Sequence, residues 1–504
     1  MSDTSGVGDY QNPVKFDFAV PANLTGGARL IHGANRGLMP ASALEALYEH
    51  FCASCQYGSL TVGGLFGQYQ RWMGLNNADV AWLEAVGRAF AAAGGSGSVI
   101  LADVALEAGL RAAGVSVTRA DIQVSSPTLS GIDPATGYIE DPVNSATGNF
   151  VLPETDVVFG GPSQGLAISR MYNSTLAAAY DEPEACGVLG PGWSTILDQR
   201  LIVTDEQARW VRDDGREIVF PLTGRNGASG SPTAEGCHTV EGPWRAAQDN
   251  VWISRGDAAD LAGVQGATVA GPVWIVADNT GSRLIFTAEG AWVGSTSGAG
   301  DGIWIERRDG MAISMHSEWG RSVDLFYAQG RLAKAVASDG RSVSYAYDSH
   351  GRLVEVTRPD GVHRYQWDGW LLSQVIDASG VAQCVNTFDE AGRIRTQRDA
   401  TGHLTRFTYL PGGVTVADDG QGHHCNTWIS DARGRTVGII DADGQRTSML
   451  YDRYGNLVSA TDRAGKVIRH TYDGRGHCAR TTLPTGGVID YGWDEADRLT
   501  TISS

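Results

Sequence analysis

Long apolar runs are missing from this sequence of 504 residues. Nothing in it approaches the ~18 consecutive apolar residues that a membrane-spanning helix requires, so we expect no membrane span. The first residues, MSDTSGVGDYQNPVKFDFAV, contain no basic segment followed by an apolar one, so we expect no cleaved signal peptide. If the protein leaves the cell, we expect a route that does not read a standard signal, with residence in the cytoplasm before export.

Basic residues and cysteines are also scarce. Lys and Arg number 39 against 57 Asp and Glu, which gives a net charge of −18. A nucleic-acid partner is therefore not expected, because phosphate binding needs a concentrated basic face. The seven cysteines are too few and too irregularly spaced for a disulfide scaffold, and we interpret them mainly as buried thiols.

The chain is long enough for two to four domains or for one extended repeat array. Its only sustained helical periodicity lies between about residues 41 and 113, which predicts a small helical N-terminal domain at 1–125. Beyond it, short alternating apolar runs are bounded by Gly, Asp or Asn. This pattern predicts a mainly β chain with almost no helix, divided into a β domain at 126–310 and a repeat array at 311–504.

A fixed period governs the last third of the chain. Tyr451-Asp452 returns as Tyr472-Asp473 and again as Trp493-Asp494, each time after 21 residues. Glycines follow this period and stand at positions 330, 351, 392, 413, 434, 455 and 476, with a second set about half a period away. Each repeat is thus predicted to be two short strands joined by tight turns. Large aromatics alternate with small or polar residues, which predicts a sheet with one covered face.

The repeat unit is Tyr-Asp, then Gly-Arg or Gly-Asn before Leu, then Asp-Gly, as in YDSHGRLVEVTRPDG and YDRYGNLVSATDRAG. It resembles the YD repeat of Rhs (rearrangement hotspot) proteins over roughly 320–504. A second match joins DPVNSATGNFVLPETDVVF (141–159) to LAISRMYNS (166–174) and GVLGPGWS (187–194). This part is similar to the domain that opens the β-shell of Rhs and other polymorphic toxins. The structural motif residues of the two matches are Asp141, Pro142, Gly148, Arg170, Tyr172, Gly190, Gly192, Trp193, Tyr347, Asp348, Tyr451, Asp452, Tyr472 and Asp473.

The resemblance implies a spiral antiparallel β-sheet that winds into a hollow cocoon around a C-terminal toxin used in interbacterial competition. On this reading the chain is a non-catalytic shell for encapsulation and delivery, without cofactor or metal. Its partner would be a C-terminal toxin domain or the remaining shell segment, and the sequence does not indicate the secretion machinery. The family's Asp-Pro-x-Gly core end is absent, and the last repeat stops at Ser504. We therefore expect the front part of such a protein, with a final strand that attracts another chain.

Three motifs suggest chemistry, and each has a plainer interpretation. Gly161–Gly165 matches G-x-S-x-G, but Pro162 and a following strand predict a hairpin loop instead of a nucleophile elbow. Cys52 and Cys55 form a C-x-x-C that suits redox exchange, half a zinc site, or two buried thiols on one helical face. The run 423–425, His-His-Cys, suits a metal ligand set or an irregular turn. We predict no active site.

Two further alternatives stay open. The tripeptide Trp72-Met73-Gly74, between two predicted helical stretches, resembles that of small helical-hairpin proteins exported by type VII systems; otherwise Trp72 is a core aromatic before a turn. The rival to a shell is a cell-surface adhesin that binds carbohydrate through exposed aromatics. The directions of the aromatic side chains discriminate between shell and adhesin, and the informative ones are Tyr345, Tyr347, Trp367 and Trp493.

Overall fold

Two units make up the chain, Met1–Ala120 and Asp121–Ser504. The computed structural model describes residues 16–19, 25–26, 28–29, 32–33, 36–37, 39–54, 65–93, 99–114, 130–140, 142–161, 165–179, 186–222, 242–257, 269, 271–298, 301–410, 412–419 and 425–504.

The first unit is helical, as predicted. Its helices are α1 (Ala41–Ser54), α2 (Leu65–Ala93) and α3 (Asp103–Ala112). An antiparallel pair of strands, β1 (Phe16–Ala19) and β2 (Val99–Ala102), accompanies them and was not predicted. None of the described helices is long and apolar enough to cross a membrane.

The predicted break at Trp72-Met73-Gly74 is wrong, because α2 runs through these residues without interruption. Glycine inside a helix costs only ~1 kcal/mol relative to alanine, and packing of an apolar face offsets it. That face includes Val80, Val86 and Phe90, and all three are buried. The side chain of Trp72 lies outside the described residues, so its assignment as a core aromatic stays a prediction.

The second unit opens with three small antiparallel sheets, which we call together the opening segment (residues 130–222). Its one described α-helix is short, α4 (Ser174–Ala178), followed by a 3₁₀ turn at Ile196–Asp198. In the rest of the described part of this unit the chain forms strands and turns, so the prediction of almost no helix is confirmed. The strands of the opening segment are β3 (Tyr138–Ile139), β4 (Val143–Asn144), β5 (Val151–Val158), β6 (Ala167–Asn173), β7 (Trp193–Thr195), β8 (Arg200–Val203), β9 (Gln207–Val211) and β10 (Glu217–Pro221).

One antiparallel sheet of 25 strands contains most of the remaining chain, and each strand pairs with the next in sequence. It begins at residue 244, and its later strands form the predicted repeat array. The strands are β11 (Trp244–Arg245), β12 (Val251–Asp257), β13 (Pro272–Asp278), β14 (Arg283–Thr287), β15 (Trp292–Thr296), β16 (Gly302–Arg308), β17 (Met311–Ser317), β18 (Ser322–Ala328), β19 (Arg331–Ala337), β20 (Ser342–Tyr347), β21 (Leu353–Arg358), β22 (Gly361–Asp368), β23 (Leu371–Ile376), β24 (Ala382–Phe388), β25 (Ile394–Asp399), β26 (Leu404–Leu410), β27 (Val414–Asp418), β28 (Asn426–Ser430), β29 (Thr436–Ile440), β30 (Arg446–Tyr451), β31 (Leu457–Thr461), β32 (Val467–Tyr472), β33 (Cys478–Thr482), β34 (Val488–Trp493) and β35 (Leu499–Ser503).

The aspartate of the Tyr-Asp pair builds the turn that follows it. Asp348 accepts hydrogen bonds from the backbone N–H groups of His350 (2.9 Å) and Arg352 (3.0 Å), and from Nε of Arg352 (2.7 Å). Gly351 completes the turn at φ +75°, a left-handed conformation that glycine adopts at low cost. The same carboxylate bonding recurs at Asp389, Asp431, Asp452, Asp473 and Asp494.

The aromatic side chain of the Tyr-Asp pair lies beside a β-bulge and bonds to the bulge of a neighbouring repeat. In each such hairpin the register slips next to the aromatic, as between Ala346 and Tyr347 opposite Leu353. The aromatic of the following repeat then donates a hydrogen bond to the bulge carbonyl, as Trp367 Nε1 does to Leu353 O at 2.8 Å. Equivalent bonds join Tyr347 to Leu332, Tyr409 to Ile394, Tyr472 to Leu457 and Trp493 to Cys478, at 2.7–2.9 Å. Each repeat is thereby bonded to the next through side chains as well as through the ladder.

Acid should weaken the array. Backbone and side-chain hydrogen bonds hold the pKa values of Asp377, Asp399 and Asp494 below their usual range. A carboxylate with a lowered folded-state pKa stabilises the fold above its unfolded pKa of ~3.9, and this contribution is lost as pH falls through the folded value. We expect the urea midpoint, followed by circular dichroism, to decrease between pH 5 and pH 3. Replacement of Asp377, Asp399 and Asp494 by Asn should make this fall in the urea midpoint smaller. The variant Asp324→Asn, at an exposed position in the middle of a strand, should show the same fall as the wild type.

Candidate functional site

The repeat sheet has one face that is covered by the opening segment, which we call the inner face. It carries Val343, Tyr345 and Tyr365, and each of these residues has at most 6% of its surface exposed. The opening segment packs on it in one contiguous core that also includes Tyr172 and Trp193. The predicted covered, aromatic face is therefore present in this part of the array, and the material that covers it comes from this chain.

Backbone groups freed by the bulges make the contact specific. The N–H of Leu332 donates to Val188 O at 2.9 Å, and the N–H of Ile394 donates to Gly148 O at 3.0 Å. The hydroxyl of Tyr172 accepts from the N–H of Leu372 at 3.0 Å. Farther along, the N–H of Thr436 donates to Ala135 O at 2.8 Å. Buried N–H groups need such partners, so the opening segment completes the hydrogen bonding of the array.

Three glycines predicted as motif residues lie at this contact in left-handed conformations. Gly148, Gly190 and Gly192 have φ values of +71°, +93° and +75°. A Cβ on Gly148 would stand 2.6 Å from Tyr409 Oη, and one on Gly190 would stand 2.6 Å from Gly351 O. At Gly192 the Cβ would lie 2.5 Å from the ring of Tyr172. Glycine is therefore required by the backbone conformation at all three positions, by the close approach of the array at Gly148 and Gly190, and by the ring of Tyr172 at Gly192.

Arg170 is a buried cation at the centre of the contact. Its Nε donates to Asp156 Oδ2 at 2.8 Å, and its Nη2 donates to Tyr365 Oη at 2.6 Å across the contact. The guanidinium lies over the ring of Trp193, 4.4 Å from its centroid. Burial alone would lower the pKa of Arg170, but Tyr365 and Asp156 raise it above its ordinary value. The side chain is therefore a permanent charge.

The charges around Arg170 balance. Arg358 of the array donates from Nη1 to Glu154 Oε2 at 2.7 Å, so two guanidiniums face two carboxylates, Glu154 and Asp156. Tyr345 Oη donates to Asp156 Oδ2 at 2.9 Å. Burial and the neighbouring Asp156 raise the pKa of Tyr345 well above its ordinary value, so the phenol remains a donor. The cluster is neutral as a whole and joins β5 and β6 to three strands of the array.

Sequence reasoning found two members of this cluster. Arg170 and Trp193 were predicted as motif residues, but Asp156, Tyr365 and Arg358 were not. The alternating carboxylates of Glu154 and Asp156, in the strand just before Arg170, are the one signal that points to an ion pair. Nothing in the repeat period distinguishes Tyr365 or Arg358 from their equivalents in other repeats.

Beyond β29 the inner face is less covered. Met449, Ile468 and Tyr491 are half-buried, and Ile502 on the last strand is 64% exposed. This part, which we call the open part of the inner face (β30–β35), continues the covered part without a break in the sheet. This part of the face leaves room for a further polypeptide to pack.

The remaining predicted residues have structural contacts. Pro142 O accepts from the N–H of Val151 at 3.1 Å, whereas Asp141 lies outside the described residues. Tyr451 packs under the guanidinium of Arg435, whose Cζ lies 5.4 Å from the centroid of the tyrosine ring. Tyr347, Asp348, Asp452, Tyr472 and Asp473 form the bulge and turn bonds described above.

The motifs with possible chemistry fall largely outside the description. Ser163, Cys55, His423, His424 and the side chain of Cys52 are not among the described residues, so their interpretations stay predictions. Burial raises the pKa of the Cys425 thiol to about 11. A cavity of about 720 Å³ in the opening segment is lined partly by Asp198, whose pKa burial raises to about 6. Its carboxylate accepts from the N–H groups of Val188 (3.1 Å) and Thr195 (3.0 Å), which is a structural role.

Removal of the Arg170 side chain should lower the free energy of unfolding strongly. Arg170→Ala leaves the buried carboxylate of Asp156 without its main partner, and breaking a buried pair in this way costs ~3–5 kcal/mol. Chemical denaturation should show this loss in free energy of unfolding. The matched control is Arg364→Ala, which breaks the exposed pair with Glu355 (3.3 Å) and should cost less than ~1 kcal/mol. Equal losses in the two variants would contradict a central role for the cluster.

Gly148→Ala should destabilise the contact by two effects, left-handed strain of ~1–2 kcal/mol and overpacking of ~1–3 kcal/mol against Tyr409. Gly402→Ala isolates the first effect, because Gly402 has φ +89° and open space around its Cβ position. Differential scanning calorimetry of both variants should give the lower Tm for Gly148→Ala. Equal Tm values would show that the approach of Tyr409 does not constrain position 148.

Known proteins resemble both parts of the second unit. Residues 326–363, 431–467 and 472–504 match the model of the RHS repeat. Residues 140–220 match a domain of unknown function, DUF6531. The tRNA nuclease WapA of Bacillus subtilis (strain 168) is 24% identical over 323 residues, which are 62% of this chain and 13% of WapA.

Solved structures show more distant similarity. The crystal structure of TcdB2-TccC3 without its hypervariable C-terminal region has a TM-score of 0.33 at 10% identity, over 60% of this chain and 21% of that one. The Tc holotoxin pore of Photorhabdus luminescens has a TM-score of 0.27 at 14% identity, over 59% and 16%. TM-scores this low do not establish a common fold. The chain spans about a fifth of these structures or less, and 13% of WapA. The repeats of this chain, with their shared turn, bulge and aromatic bond, are therefore RHS repeats at residues 326–363, 431–467 and 472–504.

Proposed function

We propose that this chain is a non-catalytic shell segment of an RHS-type toxin protein, and that its inner face holds polypeptide cargo. The observation that carries the proposal is the continuity of this face. One part is already covered by a folded segment of the same chain, and the open part presents the same kind of apolar and aromatic side chains. The cargo is a C-terminal toxin domain or a further shell segment.

The relatives support this assignment in a limited way. WapA is named as a tRNA nuclease, and TccC3 was solved without a hypervariable C-terminal region. We assign any toxic activity of the present protein to a segment other than the one described, whose polar clusters are used for turns and ion pairs. For localisation we propose a route of export that is independent of a signal peptide, with residence in the cytoplasm beforehand.

The aromatic side chains favour a shell over a carbohydrate-binding adhesin. Tyr345 and Tyr347 bond within the inner face, and Trp367 packs edge-on against Tyr172 with ring centroids 5.7 Å apart. Trp493 stacks on His477 at 4.5 Å. An adhesin of the kind considered above needs these rings in a solvated patch, and they are instead packed against protein.

The test is protection of a tail. A protease-sensitive reporter polypeptide is joined after Ser504 in one fusion and before Met1 in another, and cleavage is followed by gel densitometry. We expect slower cleavage of the C-terminal tail, because it can enter the open part of the inner face. Ile502→Asp and Tyr491→Asp should abolish this protection.

The matched control is Leu450→Asp. Leu450 is 61% exposed and alternates with the inner-face residues Met449 and Tyr451, so it faces the opposite side of the sheet. Protection should survive in this variant. Equal cleavage of both tails, or equal loss of protection in the inner-face and outer-face variants, would reject the shell function. Carbohydrate binding by such a chain would favour the adhesin.

A further inference from the structure

The long sheet curls until its last repeats lie against its first strands. Arg245 Nη1, on β11, donates to Gly474 O at 3.0 Å. Asn250 Nδ2, just before β12, donates to Asn456 Oδ1 at 2.6 Å. We call these contacts between residues 245–281 and 455–497 the seam. It joins strands that are about twenty positions apart in the order of the sheet.

His477 is a buried side chain of the seam, with 4% of its surface exposed. Its Nδ1 lies 3.0 Å from Asp473 Oδ2, in its own turn. Its Nε2 lies 2.9 Å from Asn279 O, between β13 and β14, and 3.3 Å from Asp497 Oδ1. All three partners are acceptors. A neutral imidazole has one N–H and satisfies one side only, whereas the imidazolium donates on both.

The repeat pattern supports a cation at this position. The residue four after the turn aspartate is an arginine at 352, 393, 435 and 498. Arg393 lies over the ring of Tyr409 and Arg435 over that of Tyr451, each sixteen residues later in the chain. His477 stacks in the same way on Trp493, with an interplanar angle of 13°. The repeat just before has the neutral Asn456 at this position, so the seam has a titratable group where four other repeats have a permanent charge.

A second departure from the repeat faces the first. Position 497 lies 21 residues after Gly476 and continues the turn glycines, but it is an aspartate at φ +62°. Such a left-handed conformation is unfavourable for a residue with a Cβ. Asp497 uses its side chain in return, because Oδ2 accepts from Arg475 Nη2 at 2.6 Å and Oδ1 faces His477.

We propose that His477 is a proton-controlled latch, which holds the last repeats on the first strands when protonated and releases them when neutral. In the closed seam the two N–H groups of the imidazolium face Asp473 on one side and Asp497 and the Asn279 carbonyl on the other. After the loss of one proton, one ring nitrogen is an acceptor that faces another acceptor. Protonation is therefore coupled to closure, and rising pH opens the seam. The proposal concerns the sheet itself and does not depend on what the inner face holds.

Other charges near the latch do not replace it. Arg475 is the cation closest to Asp497 and keeps its charge through the neutral pH range. Asp278, Arg283 and Glu495 line an adjoining cavity of about 340 Å³, with two negative charges and one positive charge. Of the charged groups described at the seam, His477 is the one whose ordinary titration lies near neutrality.

Hydrogen exchange of the full chain, measured by mass spectrometry, tests the latch. Protection of peptides from 272–283 and 473–498, corrected for the intrinsic rate, should fall about tenfold between pH 5.5 and pH 8.5, as expected for the loss of one charge-assisted hydrogen bond. His477→Arg restores the residue of the other repeats and should keep the seam protected at both pH values. His477→Gln should exchange at both pH values as the wild type does at pH 8.5.

Two variants make the outcome decisive. Asp497→Gly restores the turn glycine and removes one partner of the imidazolium, so protection should depend less on pH without loss of the fold. His350→Gln, in an exposed turn, should behave as the wild type. The latch is rejected if wild-type protection is the same at both pH values, or if His477→Arg loses protection at pH 8.5 as the wild type does.

Discussion

The β-bulge beside each Tyr-Asp turn is the constraint on which the rest of the fold depends. A bulge removes one N–H and one C=O per hairpin from the ladder, and such groups are costly when they are buried unpaired. The carbonyl at Leu353 is satisfied by Trp367 of the next repeat, and the N–H at Ile394 by Gly148 of the opening segment. The aromatic side chain of the repeat and the backbone carbonyl of Gly148 in the opening segment thus each bond to a group that a bulge leaves unpaired.

This constraint explains why the two matched regions belong together. An array whose bulge groups were all satisfied internally would need no opening segment. Here Leu332, Leu372, Ile394 and Thr436 take backbone or hydroxyl partners from it. The Arg170 cluster adds a charge requirement, because neither its cation nor its carboxylates are stable in the core alone. Hydrogen bonds and charges therefore fix where on the sheet the opening segment lies.

Departures from the repeat are informative because the consensus is so local. His477 stands where four other repeats have arginine, and Asp497 stands where most other repeats have the turn glycine. The two side chains meet only because the sheet curls back on its first strands. Neither was found by sequence reasoning, since each taken alone is an ordinary degenerate repeat. The signal available beforehand was their pairing in adjacent turns.

The sequence by itself determined what depends on near neighbours. The period of 21 residues, the carboxylate turns, the glycines at positive φ and the alternation of the aromatics all follow from interactions within one or two hairpins. Only the tertiary structure decided which repeat meets Arg170, whose partner Tyr365 is 195 residues away, and which turn meets Asn279. Every repeat offers nearly the same side chains, so the choice depends on the twist that accumulates over many strands, and no single repeat encodes it.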